Sequence, residues 1–232
     1  MANLEGSGPA GLECLYADDD LLVLAKPSGL LCVPGRGPDK QDCLSARAQQ
    51  RWPEALIVHR LDQATSGLVL MARNPEMQRR LGRAFELREM HKRYQAIVAG
   101  QMAAPETGAW AEINLPIAAD WERRPLRVID PVQGKPSQTR WRVLAHDGAT
   151  HTTRIELEPV TGRTHQLRVH CAAQGWPILG DPLYGQAAPR GLHLLARAIS
   201  LPLDPPVVAT APVPPHMAEA LRACGWDAAA AP

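Results

Sequence analysis

The sequence predicts a domain that mixes buried strands with a few amphipathic helices, and three stretches carry that reading. Residues 68–71, Leu-Val-Leu-Met behind Gly67, form the short apolar run of a strand covered on both faces. Asn74-Pro75-Glu76 opens a helix, with Asn as cap, Pro at the first helical position and Glu in the first turn, and Met77, Leu81, Ala84 and Phe85 then recur at helical spacing. Residues 139–145 and 152–158 alternate as adjacent strands about a turn near Asp147-Gly148.

Taken in order, residues 1–12 are rich in Gly, Pro and small side chains and are expected to form a flexible tail. Residues 21–25, LLVLA, read as a strand that Lys26-Pro27-Ser28-Gly29 ends in a turn. Lys26 has two readings, an RNA contact or a structural turn residue, and the second is the stronger; the glycines of PGRG then suggest a surface loop. A short helix is expected over 42–50 and a strand over 91–98, where Tyr94 on its own would be a partly buried core aromatic. Residues 108–132 look loop-rich, because Pro116, Pro125 and Pro131 interrupt any long element. Residues 180–185, GDPLYG, read as a loop near the site, 193–201 as a late strand, 217–224 as a short amphipathic helix after a proline-dense stretch, and 225–232 as a frayed end.

At 232 residues the chain suffices for one substantial domain, or two small lobes sharing a sheet, and neither repeat nor second domain is visible. Its five cysteines are scattered, with no C-x-x-C pair, which suits a reducing compartment better than a disulfide framework or a zinc ribbon. No apolar run approaches the roughly 20 residues that cross a bilayer, and the opening residues lack the segments of a signal peptide, so a soluble cytoplasmic protein is expected. A net charge of +1 argues against binding nucleic acid through bulk charge. Arginines and lysines nevertheless crowd residues 79–93 and 123–127, which fits local phosphate contacts and ordinary solvated faces equally well.

Residues 59–73, HRLDQATSGLVLMAR, place His59, Arg60 and Asp62 on a turn before the core strand, with Thr65, Ser66 and Gly67 to satisfy backbone groups and supply an unusual dihedral. On its own, Asp62 is best read as a turn aspartate capping its backbone. Residues 161–170 form a strand end, a glycine turn and a helix opening with basic groups, an arrangement that suits an anion. His165 and His170 are five positions apart with no carboxylate between them and no third ligand, which speaks against a metal.

The run HRLDxxTSG resembles the nucleophile motif of the RluA family of RNA pseudouridine synthases at all seven specified positions. KPSGLL resembles the family's first motif, Lys92-x-Tyr94 its K-x-Y motif, and residues 162–170 its G-R-x-H-Q-L-R-x-H motif without a mismatch. The resemblance implies an α+β pseudouridine synthase fold, with a central, largely antiparallel sheet, flanking helices and an active cleft across its middle, and residues 1–232 acting as a single catalytic domain. It makes Asp62 the nucleophile, Tyr94 the ring that stacks on the target base, and Arg168 the cation paired with Asp62. Leu167 is then the residue that packs beneath the flipped base, and Arg60 the side chain that enters the space the base vacates. His59, Lys92, Arg163 and His165 join the RNA-binding set. Isomerising uridine to pseudouridine breaks and remakes one glycosidic bond with no net oxidation, so neither cofactor nor metal is required.

The piece DWERRP, residues 120–125, looks like an insertion of the RluA branch that lacks an N-terminal S4 domain. Its Arg123 and Arg124 beside Trp121 would grip a phosphate and stack a base, the cautious alternative being a surface loop anchored by a buried Trp. The branch acts on a tRNA anticodon stem-loop and a similar 23S rRNA hairpin, so those RNAs are the expected partners, with a monomer and no obligatory protein partner. Three other readings stand beside this one: a single rRNA site, a noncatalytic RNA-binding protein on the same fold, and an aspartate glycosidase. The glycosidase would need a second carboxylate where the motifs offer arginines.

Overall fold

The computed structural model describes residues 11–103, 109–189 and 191–227. The chain divides into two compact units, Met1–Lys92 with Ala196–Pro212 and Arg93–Leu195 with Val213–Pro232. Most of the tail expected over 1–12 lies outside the described residues, as do residues 228–232 of the frayed end. Leu12, by contrast, is packed into a hydrophobic cluster with Leu22, Leu24 and Val69.

In the first unit, β1 (Glu13–Ala17), β2 (Leu21–Lys26), β4 (Ser66–Ala72) and β11 (Leu194–Leu201) lie side by side, with β3 (Leu56–Ile57) on β4 and β12 (Val207–Thr210) on β11. Every residue of β4 is buried, as its uninterrupted apolar run requires. Its antiparallel register on β2 sets Met71 against Leu22, Val69 against Leu24 and Gly67 against Lys26. The side chains of Leu22, Leu24, Val69 and Met71 pack with Leu44 and Ala48 of α1 (Leu44–Gln49). Helix α2 (Pro75–Glu86) is capped as its sequence indicates, the Asn74 side chain accepting the N–H of Met77 at 2.8 Å, and it buries Met77, Leu81 and Ala84.

In the second unit, β5 (His91–Ala99), β10 (Thr152–Pro159), β9 (Gln138–Asp147) and β6 (Ala111–Asn114) follow one another, each pair antiparallel. Strand alternation separates two chemistries. Thr139, Trp141 and Leu157 turn to one side, where His170 of α3 (Gln166–Ala173) bonds Thr139 and Trp176 packs edge-on to Trp141. Arg140, Arg142, Glu156 and Glu158 turn to the other, together with Arg93 and Gln95. There Glu158 pairs with Arg93 and Arg140, Glu156 pairs with Arg142, and the three guanidinium groups surround the Trp110 ring at 4.6–5.1 Å.

The α+β class and the largely antiparallel pairing match the expectation. Three local expectations change. Residues 108–132 hold not only loops but β6 and the hairpin of β7 (Ile117–Ala119) and β8 (Arg127–Ile129), strands too short to show alternation. The proline-dense stretch contains β12, where Val-Val-Ala-Thr pairs with β11 as an edge strand between prolines. Residues 225–227 are an ordered helix stop after α4 (Pro215–Ala223): Gly225 has φ 68°, and the Trp226 N–H reaches the Leu221 carbonyl at 2.8 Å.

Gly67 shows why the HRLDxxTSG run ends in glycine. Its φ is 112°, and a Cβ there would collide with the Ala196 carbonyl oxygen and lie 2.7 Å from its nitrogen. Gly67→Ala is therefore expected to destabilise the protein by at least about 3 kcal/mol, combining a disallowed dihedral with forced separation of β4 and β11. Urea unfolding checks this, and a loss below about 1 kcal/mol would show that the approach is not required.

Candidate active site

Asp62 lies on the connection from β3 to β4, in a turn closed by the Thr65 N–H donating to the Asp62 carbonyl at 3.1 Å. Motif residues alone do not hold this turn. Lys26, only 1% exposed, donates its Nζ to the carbonyls of Pro27 and Leu30 at 2.8 Å and of Gln63 at 3.0 Å. The Gly29 N–H reaches the same Gln63 carbonyl at 2.8 Å, Ser28 Oγ donates to the Ala64 carbonyl at 2.7 Å, and Gln63 Nε2 donates to the Gly29 carbonyl at 2.9 Å. The turn after β2 and the turn carrying Asp62 are thus bound by one backbone pair and by the side chains of Lys26, Ser28 and Gln63. Burial lowers the Lys26 amine to about 8, partly offset by the nearby Cys32 and Asp62. The structural reading of Lys26 is the one the geometry supports.

Immediately before Asp62, the thiol of Cys32 accepts the Leu61 N–H at 3.2 Å and approaches the Leu61 carbonyl at 3.4 Å. His59 Nε2 accepts the Leu70 N–H at 3.0 Å, and its ring packs at 4.8 Å on Phe85 of α2. Lys92 Nζ lies 5.6 Å from the same Phe85 ring. Loss of solvent, and secondarily the positive Lys92, push the His59 imidazole down to about 3, so the ring is neutral and available as an acceptor. His59 and Lys92 are therefore brought together around Phe85, and Arg60, between His59 and Asp62, is exposed.

The second unit carries the remaining residues named from the sequence. Tyr94 sits on β5 opposite Leu157, partly exposed. Leu167 and Arg168 are buried in the first turn of α3. Arg168 makes a bidentate pair with Asp181, Nε to Oδ2 at 2.8 Å and Nη2 to Oδ1 at 2.7 Å. Burial alone would raise Asp181, which is 0% exposed. The Arg168 guanidinium and the N–H groups of Leu183 and Tyr184 more than offset this and hold its carboxyl below the usual carboxylate value.

The sequence reading missed Asp181 as the partner of Arg168. The signal was present in GDPLYG: an Asp followed by Pro folds back to accept downstream N–H groups, here Leu183 at 2.9 Å and Tyr184 at 3.2 Å.

His165 caps α3 in the left-handed region, φ 58°, and its Nδ1 lies 2.7 Å from Tyr184 Oη. His170 Nδ1 lies 2.9 Å from Thr139 Oγ1, and its Nε2 lies 3.0 Å from the Leu115 carbonyl. Both histidines thus have structural hydrogen-bond partners. Arg163 Nη2 reaches toward the Pro136 carbonyl at 3.5 Å.

At the end of the β7–β8 hairpin, Trp121 is 71% exposed, which overturns the alternative of a loop anchored by a buried Trp. Arg124 stacks on the Trp121 ring at 4.3 Å, and Arg123 pairs with Asp120 at 2.7 Å.

Lys26→Met would withdraw the amine from three carbonyls, of which only that of Gln63 keeps the Gly29 N–H, and is expected to cost about 3–5 kcal/mol in urea unfolding and to lower kcat. Unchanged unfolding would show that the amine does not hold the turn. His59 has a folded pKa below its unfolded value, so its contribution to stability is complete above about pH 6.5 and declines as pH falls toward 3. Between about pH 7 and pH 5 the wild type should therefore lose about 2 kcal/mol more than His59→Gln, whose amide oxygen can still accept from Leu70. Equal losses in the two proteins would remove His59 as the cause.

The RNA pseudouridylate synthase family model matches residues 20–173, a span that runs through both units. A Haemophilus ducreyi protein named dual-specificity RNA pseudouridine synthase RluA is 42% identical over 213 residues, covering 90% of this chain and 95% of its own length. The Escherichia coli K12 protein of the same name is 43% identical over 208 residues, covering 89% and 93%. Among solved structures, human RNA pseudouridylate synthase domain containing 1 aligns with a TM-score of 0.75 at 31% identity, covering 95% of this chain and 90% of that one. With the motif residues located in the fold and the family model spanning most of the chain, the protein belongs to the RluA family of RNA pseudouridine synthases.

Proposed function

We propose that this enzyme isomerises uridines in a tRNA anticodon stem-loop and in a similar 23S rRNA hairpin, as a cytoplasmic monomer needing neither metal nor cofactor. The observation that carries the chemistry is the Asp62 turn, whose backbone is bound by Lys26, Ser28, Gly29 and Cys32. A nucleophile on a turn pinned in this way loses little orientational freedom on reaching the transition state. Support for two RNA substrates comes from relatives named dual-specificity that match over about nine-tenths of the chain.

In this reading Asp62 attacks the flipped uridine, and Arg60 enters the space left in the RNA. Tyr94 stacks on the base, since a flat ring binds any base face, and Leu167 packs beneath it. Arg168, its guanidinium fixed by Asp181, is the cation paired with Asp62. His59, Lys92, Arg163 and His165 remain in the proposed RNA-binding set, although His59 also braces β4. Trp121, Arg123 and Arg124 recognise the folded loop of the RNA through stacking and phosphate contacts.

Asp62→Asn is expected to bind the stem-loop within a few fold of wild type and to form no pseudouridine. Deleting the gene and mapping pseudouridine should remove one tRNA site and one rRNA site, both restored by wild type and neither by Asp62→Asn. Loss of an rRNA site alone would overturn the dual-substrate reading, and normal turnover by Asp62→Asn would remove Asp62 from its role.

A further inference from the structure

One side chain in the second unit joins groups that the reaction as described does not connect. Tyr184, from the loop between α3 and β11, accepts the backbone N–H of Arg127 at 2.9 Å and hydrogen-bonds His165 Nδ1 at 2.7 Å through one hydroxyl. Its ring lies 5.2 Å from the Arg168 guanidinium carbon and packs edge-on to the His165 ring at 5.6 Å. Its own N–H donates to Asp181, the carboxylate that holds Arg168.

Each end of this link has a distinctive geometry. Arg127 is the first residue of β8, directly after the segment carrying Trp121, Arg123 and Arg124. Inside that segment the bonds are local, from Asp120 N–H to the Leu126 carbonyl and from Leu126 N–H to the Arg123 carbonyl, so they shape the hairpin without attaching it to anything else. At its base the hairpin is held by the paired backbone bonds of Ile117 and Lys135, at 3.0 and 2.9 Å, and the bond to Tyr184 adds a tie on the β8 side, next to the segment that carries the arginines. His165, at the other end, is a non-glycine residue at φ 58° whose side chain makes no capping bond to its own helix. A strained cap whose ring is turned to a tyrosine hydroxyl persists only where the surroundings specify it.

We propose that Tyr184 is a positioning residue whose hydroxyl ties the β7–β8 hairpin to the start of α3, so that the hairpin's grip on the RNA stem-loop depends on the tie through Arg127 and His165. The idea rests on the reading above, in which the hairpin touches the substrate RNA. Tyr184→Phe keeps the ring beside Arg168 and removes the bonds to Arg127 and His165. The hairpin keeps its Ile117–Lys135 bonds but loses its side-chain tie beside the arginine-bearing segment, and binding suffers more than the chemical step.

The test is a cycle of Tyr184→Phe, Arg123→Ala/Arg124→Ala and their combination, each assayed for kcat and KM on the anticodon stem-loop and for melting temperature. Tyr184→Phe is expected to raise KM about five- to tenfold, the worth of a lost hydrogen bond, with kcat within about threefold and melting little changed. In the Arg123→Ala/Arg124→Ala background the same substitution should change KM by less than about twofold, because residues acting through one another are not additive. Equal KM factors in both backgrounds, or a wild-type KM for Tyr184→Phe beside a defective Arg123→Ala/Arg124→Ala, would overturn the coupling alone. A wild-type KM for Arg123→Ala/Arg124→Ala would instead reject the hairpin as an RNA contact, and the coupling with it.

Discussion

A buried ammonium group holds the Asp62 turn in place. Lys26 has three N–H donors, and three backbone carbonyls, from Pro27, Leu30 and Gln63, receive them. Withdrawing the amine from water is costly, as its lowered pKa records, and that cost is offset only while all three acceptors stay in place. The arrangement therefore fixes two chain segments at once, the turn that ends β2 and the turn that carries Asp62. A guanidinium, with its planar fork, could not reproduce the same compact fan of donors.

Around that amine the first unit is built from strands that leave no slack. The Gly67 backbone runs against Ala196 closely enough to exclude any side chain, and His59, kept neutral, accepts a backbone N–H of β4 from the same connection. Asp62 is thus set by atoms far from it in sequence, at Lys26, Cys32 and Ala196. Its turn sequence supplies only the ability to bend.

The second unit pairs several of its buried or half-buried charges. Arg168 is matched by Asp181, and on the opposite side of the sheet Glu156 and Glu158 are matched by arginines stacked about Trp110. A buried arginine held side-on through Nε and Nη2 by one carboxylate cannot rotate freely. Outside this network, Trp121 and the Arg124 stacked on its ring project from a short hairpin into solvent.

The amino-acid sequence by itself determined the long elements and the identity of the chemistry. The apolar run of β4, the Asn74 cap and the alternation of β9 and β10 are local patterns with local causes, and the three motifs place Asp62, Tyr94 and Arg168 at known positions along the chain. Strands of three or four residues such as β7, β8 and β12 were not legible, because so short a run gives no periodicity and their pairing partners decide them. Only the tertiary structure decided that Lys26 is a clamp, that Asp181 holds Arg168, that Trp121 faces solvent and that Tyr184 joins the hairpin to α3. The reason is physical: a side chain's polar partners are set by which backbone atoms folding brings within 3 Å or so of it, and residues 37 positions apart, like Lys26 and Gln63, carry no mark of that meeting in their local sequence.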